Sequence, residues 1–273
     1  MPMDYRTYTP APKLTGVVNC YWTLEAPAQV SAEKQHIVPD GCMEMIFHYG
    51  DAFRQYMPDG SSLVQPLCFV FGQVTRPLAI EPTGATGIFS VRFQPEGFAA
   101  FATMPVSNME NRAVPLDELF GADGSLLATA VLNAGQTEAR IRLVEDFLIE
   151  KLITEESVST LIRSSIELIM QLNGQVSVGE LTDSLHVNRR QLERKFMKNT
   201  GLSVKQLSRI VRLQATLKRL AGQQPGTLTA VAHAGNYYDQ AHFIRDFRSF
   251  TGMSPKQFYG GHLRLSALFS GMG

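Results

Sequence analysis

The sequence predicts an α+β chain of two domains. The first is a β-rich barrel or sandwich, cupin-like, with added helices. The second is all-α, with two helix-turn-helix units joined by a long helix. Three observations predict this. Residues 14–94 hold short alternating apolar runs separated by Pro and Gly, the pattern of half-buried strands. The tail repeats itself at an offset of 51: Asn188 to Phe196 matches Asp239 to Phe247, and Thr200 to Gln206 matches Thr251 to Gln257. Charge also divides. Residues 1–162 carry 10 Lys/Arg against 19 Asp/Glu, net −9, whereas residues 163–273 carry 15 against 6, net +9. A neutral chain built this way presents only its C-terminal half to a polyanion.

The predicted elements follow in order. Val18 to Leu24, Met43 to Tyr49, Leu67 to Gly72 and Ile88 to Phe93 read as strands, with Pro39-Asp40-Gly41 as a turn. A helical tail occupies about 97–152: Gly97 to Thr103, Leu116 to Phe120, Leu126 to Leu132 behind a Ser125 cap, and Glu138 to Leu152. Ile141, Val144, Leu148 and Leu152 make an apolar stripe on the last of these. The stripe packs on its own sheet, or on the same helix of a second subunit; the first is the expected use. The polar break at Thr154-Glu155-Glu156-Ser157 divides the domains into 1–156 and 157–262, leaving a tail of 263–273.

Within the basic half, Ser177 and Glu180 form a capping box, and Val178, Leu181 and Leu185 give the following helix an apolar face. After the turn His186-Val187-Asn188, a second helix turns Leu192 and Phe196 inward. It leaves Arg189, Arg190, Gln191, Glu193, Arg194 and Lys198 available to solvent. Helix, short turn and basic helix is the layout of a DNA reader. Arginine can bond guanine bidentately and glutamate can accept from cytosine, while Lys198 is placed to meet phosphate. Ser203 and Gln206 open a long helix reaching about Leu220, a strut of roughly 26 Å. The second copy starts near Leu228, with Val231 and Ala232 matching Leu181 and Thr182 at an offset of 50 and a turn, one residue longer, at Asn236-Tyr237-Tyr238. Asp239 caps its reading helix, Phe243 and Phe247 face in, and Gln240, His242, Arg245 and Arg248 are candidates for DNA contact.

At these residues the chain resembles the AraC/XylS family of transcription regulators over about 160–259. The matching residues include Leu192, Phe196, Gly201, Ser203, Arg212, Ala215, Asp239, Gln240, His242, Phe243, Gly252 and Pro255. Asn236 departs from the family's usual glycine. The resemblance implies base reading at Arg190, Glu193 and Arg194, and at Gln240, Ala241 and Arg245, with Arg212 structural. Residues 16–152 are similar to an uncharacterised sensor type found in front of such readers, on Tyr21-Trp22, Pro39 to Glu44 and Arg92 to Gly97. That likeness implies an effector-binding or dimerising domain.

Trp22, His36, Asp40, Glu44, His48 and Arg92 are therefore the effector-site candidates. Cys42, Glu44 and His48 share strand parity, but a solvent face is the expected place for Glu44 and His48. Trp22 is expected in the core. Arg92 suits either an anionic effector or a local carboxylate. Cys20, Cys42 and Cys68 have no metal-ligand spacing, and no metal, cofactor or catalytic residue is expected. The expected function is sequence-specific transcription control, as an activator that meets RNA polymerase or as a repressor, in the cytoplasm. Its partners are double-stranded DNA, a small-molecule effector and a homodimer mate through 138–152, with no membrane. Two alternatives stand beside it: a front domain that only dimerises, and a DNA-reader-coupled enzyme. The alkyl-transfer version of the latter needs a four-cysteine zinc site that three scattered cysteines do not supply.

Overall fold

Side-chain parity organises the N-terminal domain. Strands alternate their side chains between two faces, and in β4 (Glu44–His48) and β9 (Thr86–Phe93) both faces find a partner layer. Met45, Phe47, Phe89, Val91 and Phe93 point to one side, into a core completed by helices. Glu44, Ile46, His48, Ile88, Ser90 and Arg92 occupy the alternate positions. In the computed structural model, which describes residues 3–28, 34–57, 59–152, 160–222, 235 and 237–258, these strands sit centrally in a six-stranded sheet. Its order is β1-β2-β9-β4-β7-β10, with β1 Asp4–Tyr8, β2 Val18–Ala26, β7 Cys68–Phe71 and β10 Ala113–Pro115. A four-stranded sheet of order β3-β8-β5-β6 covers the Glu44 face, from β3 Gln35–Ile37, β5 Phe53–Tyr56, β6 Ser62–Val64 and β8 Leu78–Pro82. The strand pairings in both sheets are antiparallel among the described residues. Trp22, Leu24, Phe53 and Ile88 form the small core between the sheets.

The helical tail closes the opposite face. The two short helices expected at 116–132 are continuous as α1 (Leu116–Asn133), kinked at Gly121, whose φ of 59° and ψ of −136° are non-helical. Ser125 does not cap; its hydroxyl donates back to the Gly121 carbonyl at 3.4 Å. The stripe of α2 (Thr137–Lys151) is used within the domain: Val144 and Leu148 are fully buried. Glu145 ties the helix down, accepting from Tyr21 Oη at 3.1 Å and from the Ala11 amide at 2.7 Å.

The C-terminal domain is helical: α3 Thr160–Gln171, α4 Val178–Ser184, α5 Arg189–Thr200, α6 Val204–Gly222, α7 Gln240–Thr251 and α8 Pro255–Phe258. Leu181, Leu192, Phe196, Leu207, Ile210, Phe243 and Phe247 build its core. The expected boundary at 154–157, the opening helix of the second copy from Leu228 through Val231 and Ala232, Asn236, and the tail 263–273 lie outside the described residues.

Candidate nucleic-acid interface and sensor pocket

The repeat seen in the sequence is visible in the caps and ends of the two reading helices. Ser177 caps α4, its Oγ accepting from the Glu180 amide at 3.2 Å while Glu180 accepts from the Ser177 amide at 2.7 Å. Asn188 Oδ1 accepts from the Arg190 amide at 2.9 Å to start α5. Asp239 Oδ1 accepts from the His242 amide at 2.6 Å to start α7. Both reading helices end on a left-handed glycine, Gly201 at φ 72° and Gly252 at φ 73°. Thr200 and Thr251 each donate to the carbonyl four residues back, at 2.9 Å. Ser203–Gln206 and Ser254–Gln257 repeat one capping arrangement.

The outward residues differ between copies. On α5, Arg189, Arg190, Gln191, Arg194 and Lys198 are exposed, while Glu193 is half-buried and takes a bond from Arg189 Nε at 3.0 Å. On α7, Arg245 and Arg248 are exposed; Gln240 and His242 are half-buried, with the His242 ring edge-on to Tyr237 at 5.3 Å. Asp246, which replaces the Lys195 of the first copy, is buried. It accepts from Arg209 of α6 at 2.9 and 2.6 Å, and Arg209 also reaches Ser249 at 3.0 Å. Sequence reasoning missed this clamp. The charge reversal between positions 195 and 246 was the available signal. Arg212, expected to be structural, lies over the Tyr237 ring at 5.4 Å.

Between the two sheets lies a pocket of about 90 Å³ with a mostly apolar lining. Of the effector candidates, Trp22, Asp40, Glu44 and His48 line it; Arg92 stands behind it and His36 does not border it. The solvent-face expectation for Glu44 and His48 is overturned, because the four-stranded sheet covers that face. The Glu44 side chain is 17% exposed and His48 2%. Trp22 is buried as expected, and also donates to Glu44 Oε1 at 3.4 Å. Ser90 Oγ donates to Glu44 Oε2 at 3.3 Å. Arg92 pairs with local carboxylates, bonding Asp40 and reaching Glu44 at 3.2 Å. Burial pushes the Glu44 carboxyl up to about 7 against the pull of Arg92. Burial likewise lowers His48 to about 4, so its ring is neutral at pH 7. Neither ring nitrogen of His48 has a partner in hydrogen-bond geometry, although Gln65 lies beside it.

The pocket wall also touches the reader. Val38 lines the pocket yet belongs to the apolar core of the helical domain. Pro39 also lines the pocket, and its carbonyl accepts from Gln214 Nε2 of α6 at 2.7 Å. Gly41, at φ 81°, lies so close to the strut that an added Cβ would stand 2.6 Å from Leu207.

Comparison with known proteins gives two family matches. Residues 6–115 match a domain of unknown function, DUF6597, and residues 181–260 match a helix-turn-helix domain. The C-terminal residues carry an AraC-type helix-turn-helix domain. The chain is a DNA-binding regulator of transcription built from a β-rich front domain and a helical reader. Among solved structures it is similar to ToxT from Vibrio cholerae, at 10% identity, 94% of this chain, 98% of that chain and a TM-score of 0.48. ToxT of Vibrio cholerae strain SCE256 with an unsaturated fatty acid bound gives 10%, 85%, 96% and 0.43. The AraC-like transcriptional activator CuxR gives 14%, 81%, 88% and 0.32. No curated protein matches. The family matches carry the assignment. Among the described residues no helix is long and apolar enough to cross a membrane.

Proposed function

We propose that this regulator reads its operator chiefly through α5, positions itself with α7, and responds to an effector held between the sheets. The observation that carries the reading is the contrast between two equally built helices. Only α5 presents three exposed arginines, Arg189, Arg190 and Arg194, within its first two turns, where α7 presents Arg245 alone and commits Asp246 to the strut. Arg190 and Arg194 then address guanine edges, with Glu193 accepting from cytosine when it leaves Arg189. Gln191 borders that contact. Lys198, Gln240, His242, Arg245 and Arg248 chiefly hold backbone and phosphate. The reading involves no catalytic step and places the protein in the cytoplasm with its DNA. A homodimer would use the outer face of α2, where Ile149 is exposed, and activation would bring contact with RNA polymerase.

Selection of bound DNA from a random pool by the full chain tests this. A defined motif should emerge, with affinity falling steeply as salt rises, and Arg194→Ala should flatten one position of it. A pool that stays random, or a motif that loses information only in α7 variants, rejects the division of labour.

A further inference from the structure

We propose that the pocket between the sheets takes a small uncharged apolar molecule of the alcohol or phenol class, and rejects carboxylates; this rests on the effector reading above. The lining decides the sign of the charge. Among the described residues that border the pocket, the ionisable acids are Asp40 and Glu44, and none is lysine or arginine. The nearest cation, Arg92, is already held by both carboxylates. An entering carboxylate would lose its water in an apolar chamber, meet no free cation and face Glu44. Burying an unpaired charge in that way is strongly unfavourable.

The polar groups decide the rest. Glu44 and His48 stand four residues apart on one face of β4, roughly 13 Å, with Ile46 between them. Glu44 offers only acceptor oxygens when ionised. The neutral His48 ring offers one donor and one acceptor; neither makes a hydrogen bond of good geometry, and Gln65 beside the ring can serve only one of them. Its faces are occupied by Phe53 at 5.4 Å and Phe69 at 5.7 Å. A buried ring with at least one nitrogen left over needs a further partner, and a hydroxyl can donate to it or accept from it. Apart from Gln65 and Cys42, the rest of the wall is apolar, with Leu24, Ile46, Ile80 and Ile88 among it, which favours an apolar body. About 90 Å³ limits that body to a few carbons or one ring.

The test is calorimetry of the full chain against benzyl alcohol, benzoate and benzylamine, three probes of one size and different charge. Benzyl alcohol should bind, His48→Phe should weaken it about tenfold, and Ile46→Phe, which fills the chamber, should abolish it. Leu78→Trp fills it from the other sheet should Ile46→Phe fail to fold. Benzoate or benzylamine binding as well as the alcohol overturns the ligand class but leaves an effector pocket standing. The class also falls if no probe binds while filling the chamber still alters operator affinity. No binding and no effect of filling removes the effector reading with it.

Discussion

Gln214, on the strut between the two readers, donates its amide to the carbonyl oxygen of Pro39, 2.7 Å away in the wall of the sensor pocket. One short segment therefore has a pocket side and a reader side. Val38 and Gly41 flank it in the same way, against the helical core and Leu207. A change in pocket volume that moved residues 38–41 would press directly on α6. Gln214→Leu keeps the bulk and deletes the donor. It should reduce by about 1 kcal/mol the coupling between filling the pocket with Ile46→Phe and operator affinity. A double-mutant cycle on operator Kd measures it, and strict additivity would show that this bond carries no coupling.

The two copies predict different mutational signatures. Arg190→Ala and Arg194→Ala should each cost about 1–3 kcal/mol on the selected operator and relax preference at one base position. Lys198→Ala should weaken all sequences nearly equally and lower the salt slope by about one. Competition binding against operator and random DNA separates the two. Equal losses on both DNAs for all three variants would contradict these roles.

Asp246 supports α7 from inside the helical domain. Its side chain is 7% exposed and receives two bonds from Arg209. Asp246→Ala leaves Arg209 without its main partner and should destabilise the reader by about 2–4 kcal/mol. Lys195→Ala, at the equivalent place in α5, should change stability by less than about 0.5 kcal/mol. Chemical denaturation of both variants checks the contrast.

How legible these features were in the sequence depends on what encodes them. The reader was legible because its caps and core are local: Asn188, Asp239, Ser203 and Ser254 each act within three residues. The strands with a buried apolar face were legible too. β6 was not, since all three of its residues are exposed, and β8 was not, since all five are half-buried without alternation. Glu44 and His48 were given their correct common face but the wrong environment. A polar residue at an alternating position reads as solvent-facing unless a second sheet covers it, and that sheet is made of the very strands whose pattern is weakest. The Arg209–Asp246 clamp spans 37 residues, which no local pattern encodes.

The pocket gives the fold an acid-side signature with a definite sign. His48 is lowered from 6.5 to about 4, so the folded state binds fewer protons than the unfolded chain between those values. Its contribution is fully present above about pH 6.5 and is lost as pH falls through 4. Glu44 is raised from 4.5 to about 7. Its contribution runs the other way, present below about pH 4.5 and lost as pH rises through 7. The two oppose each other across the overlap, so the wild type should show a flat stability profile from about pH 4.5 to 6.5. Removing one partner unmasks the other. His48→Phe should become more stable on acidification from pH 7 to 5, and Glu44→Gln should become less stable over the same range, each by on the order of 2 kcal/mol. Urea midpoints at the two pH values measure the slopes. Parallel slopes in both variants would mean that neither group is buried in the ionisation state assigned to it.

Both reading helices also end against the sensor domain through the same repeated glycine. A Cβ on Gly201 would stand 3.3 Å from the Val106 backbone, and one on Gly252 would stand 3.3 Å from Pro77. Each glycine has φ near +70°, where an L-residue costs about 1–2 kcal/mol. Gly201→Ala and Gly252→Ala should therefore each lower stability by about 1–2 kcal/mol, a few degrees of Tm. The contact to the sensor adds a second, separable effect. The neighbour in each case must yield a few tenths of an ångström, so the sensor should sit less closely on the reader. Hydrogen exchange at Val106 and Ser107 should rise in Gly201→Ala and stay unchanged in Gly252→Ala. Exchange that rises equally in both variants would assign the loss to global destabilisation rather than to the docking contact.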